Sequence, residues 1–109
     1  MHELGITQEI VAIAVEAAHG KQVKRIVVEI GRLMAVLPEA VRFCFELCAA
    51  GTAVQGAELD LVEVLARARC RSCGLEQTFD QPFGICRCGG SDLAWIAGEE
   101  LRVKTVEVH

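Results

Sequence analysis

Several features are scarce or absent in this sequence. It has only five aromatic residues, four Phe and one Trp, and its 11 basic residues are outnumbered by 15 acidic ones, which gives a net charge of −4. Nucleic-acid-binding proteins typically present basic patches or basic and aromatic side chains together, so no nucleic acid is expected as a partner. No apolar run reaches the roughly 18 residues of a membrane-spanning helix, so no membrane is expected either.

Signals of catalysis and of export are also missing. The sequence contains no glycine-rich phosphate loop and no plausible pairing of a nucleophile with a base, so it is not expected to be an enzyme. Its start, Met1-His2-Glu3-Leu4, lacks the basic stretch of a secretory signal. Six cysteines without an export signal fit a reducing compartment, where thiols bind metals, so the expected location is cytoplasmic.

The most informative pattern that is present is a double cysteine pair. Cys70 and Cys73 are separated by two residues, Cys86 and Cys88 by one, and a glycine follows each pair directly. Four closely spaced thiolates suit Zn²⁺, which binds sulfur tetrahedrally and leaves no open position for catalysis in such a set. The tight second pair can still reach the same ion. Two disulfides, four unrelated thiols or an iron–sulfur cluster are the alternatives to this structural zinc.

The rest of the chain alternates helical and extended patterns. Apolar periodicity predicts helices over Leu4–Ala18 and Pro38–Ala50, and the second helix, with only a narrow polar stripe, is expected to be the more buried. Alternation predicts strands over Lys24–Arg32, Ala57–Ala66 and Leu101–Val108. The apolar phase slips within the second strand, which predicts a bulge or a strand that leaves its sheet on the way to the cysteines.

This order of elements predicts a small α+β fold. Three strands form one sheet with the two helices on one face, and the cysteine segment is inserted as a zinc-knuckle or zinc-ribbon module. The segment shows no helical period. The expected domains are residues 1–66 with 97–109, and residues 67–96.

A second candidate metal site lies at the amino terminus. A free α-amine at Met1, the amide nitrogen of His2 and its imidazole can form adjacent chelate rings. Such a nitrogen-rich, tetragonal set of ligands suits Ni²⁺ or Cu²⁺. Taken alone, a Met-His start is a weak signal, and an ordinary amino terminus is the alternative.

Several short segments together resemble one family. In order, they are Met1-His2-Glu3, Val28-Glu29-Ile30-Gly31, Pro38-Glu39-Ala40-Val41-Arg42-Phe43, Gly51-Thr52, Cys70-x-x-Cys73-Gly74 and Gly98-Glu99-Glu100-Leu101. The combination is similar to the HypA/HybF family, metallochaperones that deliver nickel during the maturation of NiFe hydrogenases. The resemblance extends over nearly the whole chain.

The resemblance implies a role for particular residues. His2 would be the essential nickel ligand, assisted by the Met1 amine and by the backbone amides of His2 and Glu3. The structural zinc would be held by Cys70, Cys73, Cys86 and Cys88. One departure from the family is that Ile85 stands where the first cysteine of the second pair would align, and Cys86 is the substitute one place later.

The resemblance also implies partners: a HypB-type GTPase and the large subunit of a NiFe hydrogenase, with the chain itself a monomer or a weak homodimer. The alternative function is a zinc-ribbon module that contacts protein or nucleic acid and has no nickel role.

Overall fold

The computed structural model describes residues 2–80 and 83–109, apart from the side chain of His2. In chain order, the helices and strands are α1 (His2–Ala18), β1 (Val23–Gly31), α2 (Pro38–Ala49), β2 (Glu58–Val64), β3 (Ala66–Cys70), β4 (Glu76–Phe79), β5 (Leu93–Ala97) and β6 (Leu101–Val108), with a 3₁₀ turn at Arg32–Met34. The strands form two small sheets, and together with the two helices they make the predicted α+β fold. Neither helix is long and apolar enough to cross a bilayer.

The chain divides into two compact units, each made of several segments. The first unit comprises Met1–Glu29, Val36–Val62 and Arg102–His109, and the second comprises Ile30–Ala35 and Glu63–Leu101.

The first unit has the larger apolar core. Its sheet has the strand order β2-β1-β6, and α1 and α2 pack against each other. Side chains of β1 alternate as predicted: Ile26 and Val28 are fully buried, whereas Arg25 on the opposite face is ion-paired to Asp60 and Glu107. The hydrogen bond that Arg25 donates to Asp60 raises the pKa of Arg25 above its ordinary value. One face of this sheet is therefore covered by apolar packing and the other is charged.

The second helix corrects one expectation. In α2 only Val41, Phe45 and Ala49 are buried, whereas Phe43 and Leu47 are 65% and 62% exposed. In α1, by contrast, six residues are buried, namely Ile6, Thr7, Ile10, Val11, Ala14 and Ala18. The prediction that the second helix is the more buried was wrong, because apolar composition does not show how many sides of a helix have neighbours.

The second unit is built on strands that the sequence did not reveal. Strands β4, β3 and β5 form an antiparallel sheet in that order, and β3 is its central strand. Ala66, Ala68 and Cys70 of β3 are buried on one face. On that face the rings of Phe79 and Trp95 meet edge to face with their centroids 5.5 Å apart. The cysteine segment, predicted as a zinc-knuckle or zinc-ribbon module without helical period, thus contains β4 and most of β3 and β5.

The break between β2 and β3 explains the slip in apolar phase. The predicted strand Ala57–Ala66 is in fact two strands: Glu58–Val64 belongs to the first sheet, and Ala66–Cys70 belongs to the second. Exposed Leu65 separates them. The prediction that a strand leaves its sheet on the way to the cysteines is confirmed, and the continuing strand ends on Cys70 itself.

Candidate metal centre

The structure brings together the four cysteines of the two pairs. The sulfur atoms of Cys70, Cys73, Cys86 and Cys88 all lie within 4.8 Å of one another. Cys70 and Cys86 are buried, whereas Cys73 and Cys88 are exposed. Cys44 and Cys48, half-buried on α2, are not part of this group. Among the described residues, this cluster is the one group of three or more cysteine, histidine or acidic side chains placed to hold a metal ion.

The first pair is positioned by the end of β3 and a tight turn. Cys70 is the last residue of β3, and its carbonyl accepts a hydrogen bond from the backbone N–H of Gly74 at 2.8 Å. The N–H of Cys70 in turn donates to the carbonyl of Leu75 at 2.9 Å. Gly74 has a φ of +80°, which a residue with a side chain adopts only at a cost. The turn folds Cys73 back beside Cys70.

The second pair lies in an even tighter loop. The N–H of Cys86 donates to the carbonyl of Gly90, and the N–H of Gly89 donates to the carbonyl of Cys86, both at 2.8 Å. Gly89 has a φ of +92°. This closed loop compensates for the shorter spacing of the pair, because it turns both Cys86 and Cys88 toward the sulfurs of the first pair.

Gly90 belongs to this centre for a reason of space. A Cβ atom at position 90 would lie 3.2 Å from the sulfur of Cys70 and 3.4 Å from that of Cys88. The backbone therefore approaches the sulfur cluster as closely as a glycine allows. The sequence showed a Gly-Gly pair after Cys88, but nothing in it indicated which glycine faces the sulfurs.

The geometry of the four sulfurs fits a zinc ion. Sulfurs about 2.3 Å from a shared tetrahedral Zn²⁺ are roughly 3.8 Å apart. The Sγ atoms of Cys70 and Cys88 are 3.7 Å apart, and those of Cys73 and Cys86 are 3.4 Å apart. The donor set, four thiols and no oxygen or imidazole, is the one typical of closed structural zinc sites.

The pKa values of Cys70 and Cys73 are shifted in opposite directions. The backbone N–H of Cys73, followed by smaller contributions that include the Cys88 thiol, lowers the pKa of Cys70 to about 7. The backbone N–H of Leu75 also lowers the pKa of Cys73. Hydrogen bonds between the Cys73 thiol and the thiols of Cys86 and Cys88 outweigh that effect and raise the pKa of Cys73 to about 12. A bound dication displaces the protons that such thiols retain, so metal binding strengthens as the pH rises.

Two arginines that flank Cys70 are ion-paired. Arg69 contacts Glu76 at 2.6 Å, and Arg71 contacts Asp92 at 2.7 Å. The hydrogen bond from Arg69 lowers the pKa of Glu76. These exposed pairs contribute little stability. They also offset the positive charge of Arg69 and Arg71.

The candidate nickel residues are only partly within the described structure. Met1 lies outside the described residues, and so does the side chain of His2. The backbone of His2 begins α1. Glu3 is half-buried in the first turn, where its carboxylate accepts a hydrogen bond from the N–H of Leu37 at 3.4 Å. This contact between two helices was not visible in the sequence, because Glu3 and Leu37 are far apart along the chain.

Known proteins of one family are similar to this chain along nearly its whole length. A family model described as "Hydrogenase/urease nickel incorporation, metallochaperone, hypA" matches residues 1–108. A curated relative from Trichormus variabilis, called hydrogenase maturation factor HypA, is 53% identical over 109 residues, covering 100% of this chain and 96% of the relative. A relative of the same name from Geobacter sulfurreducens is 45% identical and is covered completely, as is this chain.

A solved structure shows the same fold. The solution structure of the Ni metallochaperone HypA from Helicobacter pylori matches with a TM-score of 0.70 and 24% sequence identity, over 97% of this chain and 96% of that one. The fold and the four-thiol cluster define a small α+β metal-binding protein. With the match over residues 1–108 and relatives about half identical in sequence, the chain belongs to the HypA family of hydrogenase/urease nickel-incorporation metallochaperones.

Proposed function

We propose that this protein binds Ni²⁺ at its amino terminus and delivers it to the large subunit of a NiFe hydrogenase during maturation. The observation that carries this proposal is the family match over residues 1–108, because it extends over both the amino-terminal Met-His-Glu segment and the cysteine pairs. The relatives' common name, hydrogenase maturation factor, supports a hydrogenase as the recipient. The protein acts as a carrier and not as an enzyme, with nickel as its cargo.

The nickel ligands in this proposal are nitrogen atoms of the first three residues. The imidazole of His2 is the essential ligand, and the amine of Met1 and the backbone amides of His2 and Glu3 complete a tetragonal set. A carrier must release its metal, and a site at a chain terminus opens more readily than a closed cage. Backbone amides must lose protons before they bind, so nickel affinity falls as the pH falls.

The zinc site has a different task in this proposal. Cys70, Cys73, Cys86 and Cys88 hold Zn²⁺ permanently, and the closeness of the four sulfurs supports this assignment. When bound, zinc supplies a structural cross-link rather than chemistry, because four cysteine ligands leave no position for a substrate. The functional division is a nickel domain of residues 1–66 with 97–109 and a zinc module of residues 67–96.

The proposal includes partners and a location. The protein works with a HypB-type GTPase and the hydrogenase large subunit in the cytoplasm, as a monomer or a weak homodimer. These assignments rest on family membership.

A substitution at His2 tests the nickel site. In a calorimetric titration of untagged, zinc-loaded protein, His2→Ala is expected to abolish stoichiometric nickel binding while the zinc content stays unchanged. Acetylation of the amino terminus is expected to weaken nickel binding as well, because it removes the amine as a ligand. The matched control is His19→Asn at the other end of α1, where the backbone has a φ of +49° that asparagine tolerates.

The control variant also removes an exposed imidazole, so it should bind nickel as the unmodified protein does. Unchanged nickel affinity in His2→Ala would contradict the proposed site.

A further inference from the structure

The start of α2 lacks a cap from its own sequence. Its N-cap residue is Leu37, which has an extended backbone and makes no capping hydrogen bond with its side chain. Pro38 follows at the first helical position and has no N–H of its own. Helices usually place Ser, Thr, Asp or Asn at the N-cap, where the side chain accepts a hydrogen bond from the first turn. Leucine cannot do this.

A carboxylate from the other helix fills this role. Oε2 of Glu3 accepts a hydrogen bond from the N–H of Leu37 at 3.4 Å. In the capping box, a glutamate three residues into a helix reaches back to the N–H of its own N-cap residue. Here the glutamate occupies the equivalent position from α1. Its negative charge also lies at the positive end of the α2 dipole, which is favourable.

The backbone of Glu3 is fixed as well. The hydroxyl of Thr7 donates a hydrogen bond to the carbonyl of Glu3 at 2.6 Å. Thr7 is fully buried and is the one buried polar side chain among the residues that the structure describes. Glu3, which follows His2 in the chain, is thus held through its carbonyl within α1 and through its carboxylate at the start of α2.

We propose that Glu3 is a positioning residue whose carboxylate caps α2 and thereby sets the first turn of α1, and that this carboxylate does not itself bind nickel. The inference rests on the proposed function and adds that the backbone and the side chain of Glu3 have different roles. Its backbone nitrogen belongs to the nickel site, and its side chain holds that site against α2. A carboxylate bound to nickel would have to leave the N–H of Leu37.

Two substitutions separate positioning from ligation. Glu3→Gln keeps a carbonyl oxygen that can accept the Leu37 N–H and loses only the contribution of the charge at the helix terminus, so its nickel affinity should stay within about fivefold of the unmodified protein. Glu3→Ala removes the acceptor and should weaken nickel binding by about 10-fold to 100-fold, as loss of an outer partner of a metal site typically does. If Glu3→Gln is as weak as Glu3→Ala, the carboxylate is a ligand and the proposal is overturned.

Hydrogen exchange at the amide of Leu37, measured by NMR, gives a readout that does not depend on nickel affinity. In zinc-loaded protein without nickel, this amide should be protected in the unmodified chain and in Glu3→Gln. It should exchange at least about tenfold faster in Glu3→Ala. In the unmodified chain, nickel loading should leave the protection in place. Loss of protection on loading would show that the carboxylate has moved to the metal, and it would overturn the proposal.

The nickel site and the positioning role of Glu3 can be disproved separately. If His2→Ala abolishes nickel binding and Glu3→Gln fails as Glu3→Ala does, the nickel site stands and only the positioning role of Glu3 is lost. If the unmodified chain binds no nickel, both are overturned.

Discussion

At the scale of single residues, the second cysteine pair is where this chain differs most from its expected pattern. The side chain of Ile85 is 67% exposed, whereas Cys86 is 3% exposed and its sulfur lies 3.4 Å from that of Cys73. Although only one residue separates Cys86 from Cys88, the sulfur of Cys86 still lies in the cluster. The hydrogen-bonded loop from Cys86 to Gly90 orients it toward the other sulfurs.

This geometry predicts that the position of the cysteine cannot be exchanged with that of its neighbour. Cys86→Ala is expected to lose stoichiometric zinc, as measured by metal analysis after dialysis, because three thiolates no longer close the tetrahedron. Adding Ile85→Cys to that variant should not restore zinc, since the side chain at position 85 faces solvent. Cys44→Ala, which removes a thiol outside the cluster, serves as the control and should keep its zinc.

Full recovery of zinc in the double variant would contradict this reading. It would mean that the loop shifts freely by one residue, and that the hydrogen bonds between Cys86 and Gly90 do not fix it.

Only some residues of the metal centre could be predicted from the sequence. The four ligands were predictable because a metal requires sulfur atoms at short spacings, and spacing is visible in a sequence. The contribution of Gly90 was not, because it depends on the 3.2 Å distance from a Cβ that the residue does not have. The contact from Glu3 to Leu37 was hidden for a similar reason, since only the fold brings the starts of the two helices together.

At the scale of elements, prediction succeeded where a period is long enough to be seen. Both helices and β6 were placed within two residues of their observed ends, because an apolar period repeats several times along each. Strands β3, β4 and β5 are only four or five residues long. In β3 the alternation of Ala with Arg marks the faces by size and charge rather than by large apolar side chains, so it gave no strand signal.

The crossing of two backbone segments in the second unit is the element-scale feature most sensitive to substitution. A Cβ atom at Gly31 would lie 1.9 Å from the carbonyl oxygen of Gly98. That same oxygen accepts a hydrogen bond from the N–H of Leu33 at 2.7 Å, and the N–H of Gly31 donates to the carbonyl of Glu100 at 2.7 Å. Gly31 has an ordinary extended backbone, so its glycine is required by close approach and not by conformation.

Gly31→Ala is therefore expected to lower the free energy of unfolding by about 3 kcal/mol, the upper part of the range for overpacking. Thermal denaturation followed by circular dichroism would measure it. Gly5→Ala is the matched control: a Cβ there meets nothing within 4 Å, and an alanine in a helix should be neutral or more stable by up to about 1 kcal/mol. Equal melting temperatures for the two variants would show that the crossing is looser than its distances indicate.

At the scale of the whole molecule, the two units differ in what holds each of them together. The buried apolar side chains of the first unit include Ile10, Ile26, Val28, Val41 and Phe45, contributed by both helices and the sheet. The buried side chains of the second unit are mostly small: Ala66, Ala68 and the thiols of Cys70 and Cys86, together with Ile30. A unit of this size with so little buried hydrocarbon is expected to need a cross-link, and a metal ion held by the four thiols would provide one.

This difference predicts that removing zinc unfolds one unit before the other. After treatment with a strong chelator under reducing conditions, amides of β3 and β5 should lose most of their protection from hydrogen exchange, because the sulfurs then have no shared ion to hold the two turns together. Amides within α1 and α2 should keep their protection, since all four cysteines of the cluster belong to the second unit and the first unit has its own apolar core. Addition of zinc should restore the protection of β3 and β5.

Two other results are possible, and each would contradict this prediction. If both units lose protection together, the first unit depends on zinc despite its own core, and the metal then controls the helix that carries the proposed nickel site. If neither unit changes, the antiparallel sheet and the Phe79–Trp95 contact suffice by themselves, and the four thiols must be explained by something other than folding. Selective loss in the second unit is the outcome expected when the first unit has a large apolar core and the second has a small one cross-linked through its thiols.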